Sequence, residues 1–163
     1  MFKAKSAALV VPLLMCLGED LQAITERETF EVSVTIPTAE FYVLPSEPDW
    51  IHLEQVLPFD PQSGQFTPLR KHFDVKNSNG GISARINVEP YLSNGRDTDN
   101  IPLVVTFNRK RLTLDADLVV SELDARPGKR VGLEVAAAEA PEGGYRPGSY
   151  YGSVHMIFEA LAP

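Results

Sequence analysis

Apolar side chains recur at every second position in short runs along this chain, and turn-forming residues break the runs about every 8–12 positions. That pattern builds β-sandwiches, and no stretch carries the 3.6-residue apolar period of an amphipathic helix. The clearest run spans residues 29–37. Phe30, Val32, Val34 and Ile36 share one face, and Glu31, Ser33 and Thr35 share the other. Chain ends are commonly disordered unless something ties them down. An apolar-faced strand so near the N-terminus therefore needs a groove to fill. The pattern leaves open whether that groove belongs to its own domain or to another subunit. In the second case a small β domain becomes a polymer.

Residues 1–23 have the layout of an export leader. Lys3 and Lys5 precede an apolar core over residues 7–17, which is too short to span a bilayer. Ala23 offers a small residue for cleavage, although the acidic Gly18-Glu19-Asp20 stretch leaves room for a shift of a few residues. Cys16 raises a lipid anchor as an alternative. Met15 speaks against it, because a small residue is required before the modified cysteine. Removing 23 residues from 163 leaves 140, the size of one domain. Residues 24–37 are then an N-terminal extension and residues 38–163 the domain body.

Cys16 is the only cysteine, so an exported body without it holds together by packing and strand pairing rather than disulfides. The net charge is −7 and no basic cluster offsets it, which disfavours nucleic-acid binding. No later segment is long and apolar enough for a membrane helix.

Along the body, residues 40–44 end at Pro45, and a second apolar stretch surrounds Trp50, Leu53, Val56 and Leu57. Residues 69–76 contain a strand with Phe73 and Val75 on one face. Residues 77–81 (NSNGG) predict a hairpin turn, because Asn-Gly accepts positive φ at little cost. Residues 82–88 alternate cleanly, and residues 101–107 (IPLVVTF) are dense enough to be covered on both faces. Short runs follow at 112–114 and 118–120, with another strand at 131–135. Residues 150–159 predict the final strand, with Val154, Met156 and Phe158 on one face. The count is about nine strands.

No catalytic or metal-binding constellation emerges. His52, His72 and His155 lack ligand spacing. Asp97-Thr98-Asp99-Asn100 lacks the later bidentate glutamate of a calcium loop. Gly148-Ser149-Tyr150-Tyr151-Gly152 lacks the spacing and context of a nucleophile elbow. No cofactor is expected. Trp50, Tyr150 and Tyr151 are readable as a sugar platform, but aromatics of a small β body more often serve as core or groove wall.

Four stretches, in order, give the chain a likeness: FEVSVTIPT with the following FYVLP; Ser63-Gly64-Gln65-Phe66 leading to a strand that ends at Val75; Ile101-Pro102-Leu103-Val104-Val105 running to Leu112-Thr113; and PGSYYGSV at residues 147–154 before an apolar strand. Together they resemble the CS1/CFA/I-type major pilins, the alternative (alpha) class of chaperone–usher fimbriae. The resemblance implies an immunoglobulin-like sandwich that lacks its final strand. It also implies a periplasmic chaperone that lends a strand to the gap, and an outer-membrane usher where the next subunit's N-terminal strand replaces it. Identical or related pilins and a tip adhesin are the implied partners in a surface fimbrium. On this chain the donor role falls to Phe30, Val32, Val34 and Ile36, with Val154, Met156 and Phe158 at the edge of the groove. A minor or tip-associated adhesin binding a glycan is the competing reading, and it is weakened because family adhesins carry a second domain. A self-contained periplasmic enzyme or ligand-binding sandwich is a further competitor, and no convergent polar site supports it.

Overall fold

The computed structural model describes residues 40–162. The expected leader and the run bearing Phe30, Val32, Val34 and Ile36 lie outside the described residues. The strands are β1 (Phe41–Pro45), β2 (Phe59–Asp60), β3 (Gln65–Phe66), β4 (Leu69–Asn77), β5 (Ile82–Ile86), β6 (Tyr91–Leu92), β7 (Ile101–Phe107), β8 (Lys110–Arg111), β9 (Asp117–Val120), β10 (Lys129–Ala137) and β11 (Met156–Ala160). A one-turn helix, α1 (Glu122–Ala125), follows β9, with Ser121 Oγ accepting the Asp124 N–H at its start. Short 3-10 turns cover Pro48–His52 and Asp97–Asp99.

The larger sheet runs β1-β4-β10-β7-β6, with β8 also paired to β7. The smaller runs β11-β5-β9, and β2-β3 form a separate ribbon. Every pairing is antiparallel. Period-two side chains from both sheets meet in one core: Phe73 and Val75, then Val131, Leu133 and Val135 with Val105 and Phe107, against Ile82, Ala84, Ile86 and Val120. The outer face of the larger sheet carries cross-strand ion pairs. Arg130 lies opposite Asp74 and bonds it at 2.7 and 2.8 Å, and Arg70 Nε lies 2.7 Å from Glu134. Those hydrogen bonds from Arg130 hold the Asp74 carboxyl below the usual carboxylate value.

Four sequence expectations need correcting. The expected hairpin turn at 77–81 is not a hairpin: β4, which includes Asn77, belongs to one sheet and β5 to the other, so residues 78–81 form a corner between sheets. Its residues do not use positive φ. The glycines are there for space. A Cβ on Gly80 would stand 2.2 Å from the Leu161 carbonyl oxygen. Next, β7 is not covered on both faces but alternates, with Pro102 exposed and Leu103, Val105 and Phe107 buried. The final strand starts at Met156 rather than at residue 150, so Val154 precedes it. Finally, eleven strands are present among the described residues rather than about nine, because two-residue ladders leave no alternation to detect.

Among the described residues a two-residue hairpin lies elsewhere, between β7 and β8. Asn108 and Arg109 have φ of 48° and 65°, the left-handed pair that a type I′ turn demands. Asn tolerates this geometry; Arg does so at a cost. Arg109→Gly is therefore expected to stabilise the domain by about 0.5–1 kcal/mol, measured as a higher denaturant midpoint at unchanged m-value.

Candidate functional site

β11 is an edge strand among the described residues, paired with β5 on one side. Asn87 donates its N–H to the His155 carbonyl at 3.0 Å, and Leu161 donates to Gly81 at 2.9 Å. These contacts fix the alternation of the ladder: residues 155, 157, 159 and 161 bond toward β5. The N–H and C=O groups of Met156, Phe158 and Ala160 therefore point the other way, off the open edge. The same residues carry the inward side chains. Met156 and Phe158 are half-buried and pack on the core, as does Val154 just before the strand.

An apolar groove of about 390 Å³ opens beside this edge. Leu69 of β4, Leu103 of β7 and Leu133 and Val135 of β10 supply its floor. Trp50 and Leu57 stand on one side, and Val154 and Met156 on the other. Further along β11, Phe158 meets Phe107 at a ring separation of 4.8 Å and Phe73 at 6.4 Å. Trp50 packs edge-on against Phe73 at 5.9 Å, and the ammonium of Lys71 lies 5.3 Å from the Trp50 ring centre. The aromatic residues Trp50, Tyr150 and Tyr151 all line this groove, which places them as wall. The indole Nε1 of Trp50 is buried without a hydrogen-bond partner among the described residues.

Two polar or small residues fix the ends of the edge strand. Asn77, only 2% exposed, donates Nδ2 to the carbonyls of Gly81 (2.7 Å) and Leu161 (3.0 Å), and its Oδ1 accepts the Asn79 N–H. It ties the C-terminal end of β11 to the β4–β5 corner. At the other end, Ser93 and Tyr151 exchange N–H···O bonds of 2.8 and 2.9 Å. A Cβ on Gly152 would fall 2.1 Å from the Tyr91 carbonyl oxygen, so only glycine allows this close approach. The Gly152 position of the PGSYYGSV stretch thus steers the chain into β11.

The sequence points to Val154, Met156 and Phe158; Met156 and Phe158 lie in β11, and Val154 lies just before it. It did not single out the floor residues or Asn77. The floor is assembled from β4, β7 and β10, and only the pairing order brings those strands together. Among the described residues no cluster of histidine, cysteine or acidic groups has the makings of a metal site. No helix among them is long and apolar enough to cross a membrane.

No curated protein matches the chain. Among solved structures it is similar to the CooA pilin subunit from enterotoxigenic Escherichia coli. The TM-score is 0.61 at 22% identity, over 74% of this chain and 86% of that one, a likeness of fold. The architecture is thus that of an immunoglobulin-like pilin sandwich. The family model for the CS1 type fimbrial major subunit matches residues 26–159. That match spans most of the sequence, and the chain belongs to the CS1 type fimbrial major subunit family as a structural subunit of a surface fimbrium.

Proposed function

We propose that this fimbrial subunit polymerises by donor-strand exchange, with residues 24–37 of one copy filling the groove of the next. The observation that carries the reading is the coincidence of an open β11 edge with an apolar groove on the same side. Phe30, Val32, Val34 and Ile36 supply alternate apolar side chains for such a groove, while their backbone meets Met156, Phe158 and Ala160. Burying four such side chains is worth about 6–12 kcal/mol. Whole domains are typically stable by only about 5–15 kcal/mol. A body without the strand is accordingly marginal and exposes an edge prone to pairing. A periplasmic chaperone that lends a strand, and an outer-membrane usher where the strands are exchanged, complete the route to the surface. The subunit's role is mechanical, and it has no catalytic part.

A synthetic peptide of residues 24–37 tests this reading. Added to the mature chain lacking that segment, it is expected to bind one-to-one and to raise the melting temperature. A peptide with Phe30, Val32, Val34 and Ile36 replaced by serine is expected to do neither. Equal stabilisation by both peptides would remove the groove-filling role.

A further inference from the structure

The two ends of the body carry different exposed apolar surfaces. At the corner between β4 and β5, Leu118 reaches Gly81 and the Leu161 backbone reaches Gly80, with the start of α1 beside them. Leu118, Leu161 and Leu123 are all exposed there, Leu123 at 85%. At the opposite end the rings of Phe59, Phe66 and Tyr145 gather at separations of 4.9–6.3 Å. They line a cavity of about 430 Å³ together with Leu57 and with Val56, which is 73% exposed. This aromatic cup is continuous with the strand groove, since Glu54, Gln55, Leu57, Leu92 and Tyr150 border both.

Chain geometry says what meets the cup. β11 runs from the cup end, where Val154 and Met156 lie, to the leucine end, where Asn77 holds Leu161. β1 begins at the leucine end: Phe41 lies opposite Asn77, and Ser78 donates to the Glu40 carbonyl at 2.8 Å. The donor segment therefore departs from the leucine end of its own body. If it lay parallel to β11 of the acceptor, its Ile36 would finish at the acceptor's leucine end, and both neighbours of each subunit would crowd one end. Antiparallel insertion gives each subunit one neighbour at each end, as a non-closing head-to-tail contact requires. Ile36 then finishes at the cup end. Only residues 37–40 link it to the next body, a reach of at most about 14 Å.

Resting on the donor-strand reading, we infer that a second copy of this chain docks its leucine end, with Leu123 foremost, into the aromatic cup formed by Val56, Phe59, Phe66 and Tyr145. The contact adds a body-to-body interface to the inserted strand and stiffens the junction between subunits. Each surface presents exposed apolar side chains, among Glu54 and Arg146 at the cup and Glu122 and Asp124 beside Leu123, and both lie next to the strand groove or the strand's point of departure.

Cysteines at positions 123 and 56 of the full chain test the contact. Filaments are sheared from producing cells, treated with a short bis-maleimide and separated under denaturing conditions. The doubly substituted chain (Leu123→Cys with Val56→Cys) is expected to give a ladder of covalent multimers, and each single substitution none. Leu123→Asp is expected to make filaments dissociate in denaturant about tenfold faster than wild type, with monomer circular dichroism unchanged. Filaments that form normally, give no ladder and dissociate at the wild-type rate overturn the docking while leaving donor-strand exchange intact. Absence of filaments from the wild-type chain overturns both.

Discussion

Val34→Asp is expected to abolish polymerisation while leaving the monomer as stable as the wild-type monomer. Residue 34 is one of the two inner positions among the four apolar residues of the proposed donor run. Losing the valine forfeits about 1.5–3 kcal/mol of burial. An aspartate placed in a groove floored by Leu69, Leu133 and Val135, with no lysine, arginine or histidine among its described lining residues, adds a penalty of several kcal/mol. Together these exceed about 4 kcal/mol, a thousandfold or greater weakening of the strand-groove contact. Glu31 and Thr35 lie on the opposite face of the same run, so Thr35→Asp is the matched control and is expected to polymerise. Electron microscopy of surface filaments and size exclusion of the purified chain read the difference. Filaments of normal length from the Val34→Asp chain would remove this segment from the assembly.

Asn77→Ala is expected to cost the body about 2–3 kcal/mol, or roughly 10 °C in melting temperature. The side chain is buried and bonds two carbonyls and one N–H; alanine removes these bonds from the Leu161 carbonyl and the Asn79 N–H, while the Gly81 carbonyl keeps only the Leu161 N–H. The effect is expected to reach beyond stability, because one of the carbonyls belongs to Leu161, just past the C-terminal end of β11, the edge proposed to receive the strand. Asn77→Ala chains are therefore expected to bind the residue 24–37 peptide more weakly than wild-type bodies do. Asn77→Asp is the informative companion. It keeps the bond from the Asn79 N–H but sets a carboxylate against the Gly81 and Leu161 carbonyls, so it is expected to be at least as damaging as alanine. Chemical denaturation of the three chains checks the order.

The alternation visible in the sequence located Phe73 and Val75 of β4, the 131–135 strand and the inward side chains of β11, because period two survives whatever the partner strand is. The Asn-Gly signal at 77–81 misleads for a physical reason. Asn-Gly signals a hairpin when its residues adopt positive φ, but here Gly80 makes room for the backbone of residues 161–162 across the corner, and Gly81 for Leu118 and the Val120 carbonyl. The true two-residue hairpin was hidden because Arg109 is an unusual occupant of a left-handed position. The sequence pattern starts the last strand at Tyr150, whereas Tyr151 makes only an isolated bridge to Ser93 and β11 begins at Met156. The groove was half legible. Its edge residues follow one another in sequence, whereas its floor joins Leu69, Leu103 and Leu133, which nothing local connects.

The most direct test of the donor-strand account is thermal unfolding of two chains. One is the mature body without residues 24–37; the other is the same body with that segment relocated behind Pro163 through a flexible linker. The account predicts that the relocated strand raises the melting temperature by tens of degrees, consistent with about 6–12 kcal/mol of added burial, and that this chain stays monomeric. A truncated body that is already fully stable, and that the relocated strand leaves unchanged, would show the sandwich to be complete in itself and contradict the account.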